Sequence, residues 1–190
     1  MVFVAGVLLL PAILLVALLV TWRLGGPVFF RQARSGLNGR EFSILKFRTM
    51  RDPAYPGEPD PDRLSRFGAL LRATSLDELP QLWNVLRGDM SLIGPRPTLP
   101  EQVVHYSPRQ RGRLVVRPGI TGWAQVRGRN SLSWPERIEL DLWYIGNRSV
   151  WLDLRIVGLT LLSLVKPRGV TAEGGINPGF PIPADSSPRS

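Results

Sequence analysis

An uninterrupted apolar stretch opens the chain, with no charged residue from Val2 to Trp22. About 20 helical residues rise roughly 30 Å, which is the thickness of a bilayer core. We therefore expect residues 1–22 to form a membrane helix, kinked where Pro11 removes a backbone hydrogen bond and clashes with the preceding turn. A cleaved signal peptide is disfavoured because no Lys or Arg precedes the apolar run, and a buried core helix is disfavoured by its length.

Two short runs rich in apolar residues come next and predict strands over residues 27–32 and 41–48, joined at Asn38-Gly39 by a hairpin turn. Residues two apart in a strand share a face, so the second strand would place Lys46 and Arg48 on the same side. The two cations would then reach one phosphate, or they would lie along a solvated edge.

Helical spacing of apolar residues predicts several further helices. A proline-rich loop over 52–62 precedes them. We discount its Asp60-Pro-Asp62 sequence as a metal motif, because such acids need a rigid strand end and Asp62 instead suits the cap of the next helix. The predicted helices cover residues 63–72, 101–106, 109–114 and 133–147, and an interfacial helix covers 151–166.

The stretch from Ser75 to Pro97 concentrates polar side chains that suit chemistry. Ser75 and Glu78 have the spacing of a capping box, which predicts a helix that starts with Asp77 in its first turn and ends at Arg87-Gly88. Free N–H groups and the helix dipole at such a start stabilise an ionised carboxylate and attract phosphate. The simpler interpretation is that the two acids only favour the helix start.

Three further residues are candidates for anion contacts or for structural ion pairs. Arg96 lies between two prolines that fix the backbone, so its guanidinium is pre-aimed for a bidentate phosphate or uracil contact. Arg72 is a partner for Asp77 or for a phosphate, with a surface role as the alternative. Asp141 lies four residues after Arg137 in a predicted helix and would pair with it.

Composition narrows the classes of partner. A formal net charge of +9 favours phosphorylated substrates and anionic lipid. The sequence has no zinc spacing and no RNP-type aromatic motif, so nucleic acid is not expected as a partner. Cysteine is absent, which excludes disulfides and thiolate metal sites. Basic residues follow the apolar run, and this asymmetry places the downstream chain on the cytoplasmic side.

Three motifs, in order, closely resemble those of the bacterial sugar transferases, the monotopic phosphoglycosyl transferases that load a phosphosugar onto a polyprenol phosphate. They are Leu-Asp-Glu-Leu-Pro-Gln-Leu-Trp-Asn-Val-Leu over 76–86, Gly-Asp-Met-Ser-Leu-Ile-Gly-Pro-Arg-Pro over 88–97, and Arg-Pro-Gly-Ile-Thr-Gly-Trp-Ala-Gln-Val over 117–126 with Gly128-Arg129-Asn130. The resemblance implies an α+β fold with an N-terminal, re-entrant membrane-inserted helix, a small β-hairpin, and several short amphipathic helices at the membrane interface.

We expect this fold to occupy three segments of the chain. Residues 1–22 form the membrane helix, and residues 23–173 form a transferase domain on the cytoplasmic face of the inner membrane. Residues 174–190 are rich in Pro, Gly and Ser, and they form a disordered tail.

The resemblance also implies a reaction in two steps. Asp77 would attack the sugar-bearing phosphorus of a UDP-sugar and release UMP, and undecaprenyl phosphate would then take the phosphosugar to initiate glycan, exopolysaccharide or O-antigen assembly. Asp77 and Glu78 would hold Mg²⁺, or Glu78 would assist the attack of the lipid phosphate. The substrate-binding candidates are Lys46, Arg48, Arg72, Arg96, Arg129 and Asp141.

Two departures from the family pattern leave the topology open. The chain starts inside the membrane helix, and Leu10 stands where family members usually carry Ser before the proline. Either the sequence is a piece of a longer member, or its topology differs. A homodimer is a further candidate assembly. The alternative function is a non-catalytic, membrane-anchored scaffold that binds polyprenyl phosphate or anionic lipid, and the intact acid pair argues against it.

Overall fold

A computed structural model describes residues 2–55, 58–128 and 132–165 of the chain. The predicted tail and Arg129 lie outside these ranges. The α+β class is confirmed, since small sheets and helices alternate along the chain. The helices are α1 Val2–Leu24, α2 Asp60–Arg63, α3 Arg66–Ala73, α4 Gln81–Arg87, α5 Pro100–Val103, α6 Pro108–Arg111, α7 Trp123–Arg127, α8 Trp134–Gly146 and α9 Val150–Val165. The strands are β1 Phe29–Ser35, β2 Glu41–Phe47, β3 Ser91–Ile93 and β4 Gly119–Thr121.

Helix α1 packs one side against the rest of the protein. Val16 and Val20 are buried with Phe47 of β2 and Leu71 of α3. The other side exposes large apolar side chains, namely Leu10, Leu14, Leu15, Leu18 and Trp22. Pro11 lies within the helix. In the part of the chain that the structure describes, no helix is long and apolar enough to cross a membrane. Insertion of α1 into a bilayer therefore stays a prediction.

The predicted hairpin is confirmed. β1 and β2 pair antiparallel, from Phe29 opposite Phe47 to Ser35 opposite Glu41. The turn between them is a short 3₁₀ helix over Leu37–Gly39, in which Asn38 has φ = 55°. Asn and Gly tolerate this left-handed conformation better than other residues, which is why the Asn-Gly pair marks the turn.

The helix predicted over 63–72 begins later and has a different cap. α3 starts at Arg66, and the Ser65 hydroxyl accepts a hydrogen bond from the Gly68 N–H at 3.0 Å. Asp62 lies inside the short helix α2, so the prediction that it caps this helix is wrong. Gly68 allows α3 to approach the preceding chain closely, because a Cβ there would stand only 1.8 Å from the Thr49 carbonyl oxygen.

The helix predicted to start at Ser75 is divided in two. A 3₁₀ helix spans Leu76–Glu78, and α4 begins only after Pro80. Ser75 is left-handed at φ = 57°, and its side chain makes no capping hydrogen bond, so the predicted capping box is wrong. The predicted end is confirmed, since Gly88 terminates α4 with φ = 83°.

The C-terminal half is built around a small parallel sheet, in which Ser91 of β3 is opposite Gly119 of β4. Helices α7, α8 and α9 cover it with a cluster around Trp123, Tyr144 and Ile156. The predicted helices over 133–147 and 151–166 are confirmed as α8 and α9, and α8 carries the predicted capping box of Ser133 and Glu136. The helix α7 was not predicted.

Candidate active site

Glu78 is the acid around which the charged side chains converge. Its Oε1 accepts hydrogen bonds from Lys46 Nζ and from Arg96 Nη2, each at 2.7 Å. Desolvation opposes the charge of this carboxylate, but Arg96 and Lys46 together outweigh it and hold the pKa of Glu78 well below its usual range. Glu78 is therefore a fixed anion at any physiological pH. Both ion pairs use Oε1, which leaves Oε2 for another partner.

Asp77, its neighbour in the chain, has the opposite character. The residue is buried, with 8% of its surface exposed. Within the described residues it receives no hydrogen bond and forms no ion pair. Burial raises the pKa of Asp77 to about 6, against the opposing attraction of Lys46. A carboxylate that is desolvated and unengaged is a better nucleophile than one held by two cations.

Helix α4, which follows the 3₁₀ turn that carries both acids, is tied to the hairpin through Asn84. Asn84 Oδ1 accepts the Leu45 N–H at 3.0 Å, and Nδ2 donates to the Ser43 carbonyl at 2.8 Å. The side chain also contacts Asp89, with Nδ2 3.2 Å from Oδ2. Since Lys46 follows Leu45 on β2, this amide attaches α4 to β2 beside the residue that binds Glu78. Sequence reasoning missed Asn84, whose polar side chain in an apolar helix was the available signal.

Arg96 approaches from the segment between β3 and α5. About half of its side chain is exposed, 49%, so part of the guanidinium faces solvent while Nη2 binds Glu78. The predicted orientation towards a substrate phosphate is compatible with this placement. A ligand that enters beside Asp77 would meet the exposed part of this guanidinium.

Arg34 of β1 is a further cation near Arg96 that the sequence did not single out. Its Nη2 donates to Gln32 Oε1 at 2.6 Å, and its Nη1 lies 3.4 Å from the Pro97 carbonyl. Burial, followed by repulsion from Arg96, lowers the pKa of Arg34 to about 10. In the sequence Arg34 is one of many arginines after the apolar run. The available signal was its position two residues after Gln32, which puts the two polar side chains on the same face of a strand.

Arg48 and Arg72, unlike Lys46, do not bind Glu78. Arg48 donates to the Leu24 and Gly25 carbonyls at the end of α1 and to Asp52, so it is not brought to the acid pair. The shared phosphate contact predicted for Lys46 and Arg48 is therefore not formed by this geometry. Arg72 donates from Nε to Thr49 Oγ1 at 3.0 Å and lies near enough to favour the ionised form of Asp77.

Asp141 is buried on α8 and does not pair as the helical spacing predicted. Its partner is Arg113, at 2.5 Å between Nη2 and Oδ2, and only 3% of each side chain is exposed. The predicted ion pair with Arg137 is therefore wrong, because Asp141 binds Arg113 from the 3₁₀ helix over Gly112–Leu114. Sequence reasoning missed Arg113, because nothing local distinguishes it from the other arginines.

A divalent cation would have few protein ligands here. Across the described ranges, no three acidic or His residues cluster as a metal cage. Mg²⁺ is usually held by one or two carboxylates together with substrate phosphates and water. The carboxylate of Asp77 and Oε2 of Glu78, which have no partner among the described residues, fit that mode once substrate phosphates supply further ligands.

The comparison with protein families agrees with this constellation of paired acids and converging cations. The family model described as bacterial sugar transferase matches residues 1–167. The chain belongs to the bacterial sugar transferases. This confirms the family resemblance seen in the motifs and the assignment of the chain as a transferase.

Curated relatives differ in length. A Bacillus subtilis (strain 168) protein named uncharacterized sugar transferase EpsL is 48% identical over 161 residues, which cover 83% of this chain and 80% of that protein. A protein of Xanthomonas campestris pv. campestris named UDP-glucose:undecaprenyl-phosphate glucose-1-phosphate transferase is 45% identical over 170 residues, covering 82% of this chain but only 35% of that protein. A Caulobacter vibrioides protein of the same name is 48% identical over 169 residues, covering 82% and 63%.

Proposed function

We propose that this transferase moves a sugar phosphate from a UDP-sugar to a polyprenol phosphate such as undecaprenyl phosphate. The names of the Xanthomonas and Caulobacter relatives support this reaction, although the chain spans about a third of the first and under two thirds of the second. The observation that carries the proposal is the contrast between two acids. Asp77 is desolvated and has no hydrogen bond or ion pair among the described residues, whereas Glu78 is held by two cations. One acid is available for covalent chemistry, and the other organises the positive charge around it.

In the first step, a carboxylate oxygen of Asp77 attacks the sugar-bearing phosphorus of the donor. The bond from this phosphorus to the bridging oxygen breaks, and UMP leaves with the electron pair. The product is an acyl phosphate that joins Asp77 to the sugar. This step needs an ionised carboxylate and in-line positioning more than acid–base chemistry.

In the second step, an oxygen of the polyprenol phosphate attacks the same phosphorus. The bond to Asp77 breaks, the carboxylate is regenerated, and the lipid leaves as a polyprenol diphosphate sugar. Glu78 cannot easily accept a proton while Lys46 and Arg96 hold its pKa low. Its role in this account is therefore to position those cations at the phosphates.

Positive charge neutralises the diphosphate as it is cleaved. Lys46 and Arg96 stand at Glu78, and Arg72 lies on the side of Asp77. Asp77 and Glu78 are the residues that would hold Mg²⁺. When bound, the ion would neutralise charge on the phosphate oxygens and reduce the repulsion between the two acids.

The proposed acceptor is a membrane lipid, so the site has to lie at a bilayer surface. We place α1 in the membrane as a re-entrant segment and the site on the cytoplasmic face of the inner membrane. The exposed apolar side of α1 supports insertion, as do exposed Trp151 and Leu154 of α9. Single cysteines at Val2 and Arg40 should both react with an impermeant reagent from the same side. Labelling from opposite sides would show that α1 crosses.

The proposed reaction is tested by incubating the purified full chain with a panel of UDP-sugars and undecaprenyl phosphate. UMP and a lipid diphosphate sugar should form together with one of the sugars. Asp77→Asn should abolish both products. Asp60→Asn, which changes an exposed acid of the Asp60-Pro-Asp62 sequence, should leave turnover unchanged. Lipid binding without UMP release across the panel would favour the scaffold instead.

A further inference from the structure

The segment that presents Arg96 is held almost entirely through its carbonyl groups. Pro95 and Pro97 have no N–H to donate, so carbonyl oxygens must anchor this part of the chain. The Pro95 carbonyl accepts the Gly119 N–H, and the Thr98 carbonyl accepts the Ser35 N–H, each at 2.9 Å. These two bonds fix the ends of the segment to β4 and to β1. Of the two carbonyls between them, that of Pro97 accepts from Arg34 Nη1 at 3.4 Å. The other, that of Arg96 itself, needs a separate partner.

Arg113 provides that partner from a buried position. Its Nη2 donates to the Arg96 carbonyl at 3.2 Å and to Asp141 Oδ2, and its Nη1 donates to the Tyr106 hydroxyl at 2.7 Å. The guanidinium thus joins three acceptors, on α8, on the turn after α5 and on the segment that carries Arg96. Such an arrangement requires the planar, forked donors of Arg, which a Lys ammonium cannot reproduce.

We infer that Arg113, oriented by Asp141, is a positioning residue that fixes the backbone of Arg96 and so aims the Arg96 guanidinium at Glu78 and at the donor diphosphate. This inference rests on the proposed function. It also gives Asp141 a role that its burial allows, since a carboxylate with 3% exposure acts through Arg113 and does not touch substrate. Arg113 thus connects Asp141 on α8 to the Arg96 backbone, and the Arg96 guanidinium in turn binds Glu78.

The inference predicts that Arg113 acts only through Arg96. Arg113→Lys should weaken UDP binding and lower kcat/KM for the UDP-sugar by roughly 10-fold, the effect of one misplaced charge-assisted contact. The loss should appear in the KM for the donor, with the KM for undecaprenyl phosphate unchanged. In an Arg96→Ala background, the same substitution should cost less than about 2-fold, because the group it positions is gone.

Arg109→Lys is the matched control. Arg109 also pairs with an acid of α8, Glu139, at 2.6 Å, but both side chains are exposed. Among the described residues, neither makes a hydrogen bond or ion pair with the Arg96 segment. This control should leave UDP binding and both KM values unchanged. Tyr106→Phe is a second test variant that removes one acceptor of Arg113 and keeps the buried ion pair. It should weaken UDP binding in the same direction by about 2- to 5-fold.

The experiment measures UDP affinity by calorimetry and turnover by UMP release, with folding of each variant checked by circular dichroism. Equal losses from Arg113→Lys with and without Arg96 would overturn the inference, as would unchanged UDP affinity in folded Arg113→Lys or, if that variant does not fold, in Tyr106→Phe. If wild type binds UDP but turns over no UDP-sugar, the proposed function fails. The UDP affinities then still decide whether Arg113 positions Arg96.

Discussion

Asp77 and Glu78 are consecutive residues whose carboxylates meet opposite surroundings. Lys46 and Arg96 both bind Oε1 of Glu78, whereas Asp77 is unengaged within the described residues. The difference arises from the 3₁₀ turn, which directs neighbouring side chains apart. Lys46 and Arg96 keep Glu78 ionised, whereas burial raises the pKa of Asp77. Each of these two consequences can be measured.

The raised pKa of Asp77 predicts an acid limit to catalysis. Because the nucleophile must be ionised, the single-turnover rate of UMP release should fall tenfold per pH unit as the pH drops below about 6. Burial of Asp77 sets this limit and the charge of Glu78 adds to it, whereas Lys46, Arg96 and Arg72 oppose it. A rate that stays constant down to pH 5 would contradict it.

Burial of Asp77 also predicts that the ionised carboxylate needed for activity lowers the stability of the fold. Its folded pKa lies above the unfolded value, so the ionised form destabilises the fold above pH 6, by at most about 3 kcal/mol for two pKa units. Asp77→Asn should therefore raise the melting temperature at pH 7.5, and the gain should shrink at pH 5, where the folded carboxyl is already mostly protonated. Asp60→Asn serves as the exposed control. A lower melting temperature for Asp77→Asn at pH 7.5 would count against this account.

Removal of Arg96 should act mainly on the donor. Loss of one charge-assisted contact costs about 1.5–3 kcal/mol, so Arg96→Ala should lower kcat/KM for the UDP-sugar by roughly 10- to 150-fold. The pKa of Glu78 should rise as well, because one of its two cations is gone. Steady-state kinetics with varied UDP-sugar provide the measurement, and unchanged values would show that Arg96 does not contact the donor.

Asn84 should prove to be a structural residue of the site. Asn84 is buried, and Asn84→Ala leaves the partly buried Leu45 N–H and the Ser43 carbonyl without their side-chain partner, which costs about 1–2 kcal/mol. Arg87→Ala, on the exposed side of the same helix, should change stability by under about 0.5 kcal/mol. Chemical denaturation of the two variants compares them directly. Equal stabilities would refute the role given to Asn84.

Local sequence signals predicted much of the fold. The Asn-Gly turn, the Gly88 helix end and the Ser133 capping box depend on residues within a few positions, and all are confirmed. The capping box at Ser75 had the same kind of support and is wrong. Pro80 cannot donate an N–H to continue the first turn, and the Glu78 side chain that would close the box is taken by distant cations.

The site itself was predicted in part. The acid pair and the candidates Lys46 and Arg96 came from motifs, and the structure brings these residues together. Arg113 could not be found in this way, because its partners lie on elements far away in the chain. Asn84 lies within the first motif, but its partners on β2 are not evident from the sequence. Only tertiary packing decides which of many arginines reaches Asp141.

The most direct test of the central claim is the mass of the protein after exposure to a UDP-sugar without lipid. Wild type should release up to one UMP per chain and gain the mass of one sugar phosphate, mapped to the peptide that contains Asp77. Hydroxylamine should remove the adduct, since it cleaves acyl phosphates, and undecaprenyl phosphate should discharge it as lipid product. Asp77→Asn should show neither UMP release nor adduct. An adduct on another residue, or full turnover by Asp77→Asn, would contradict the account.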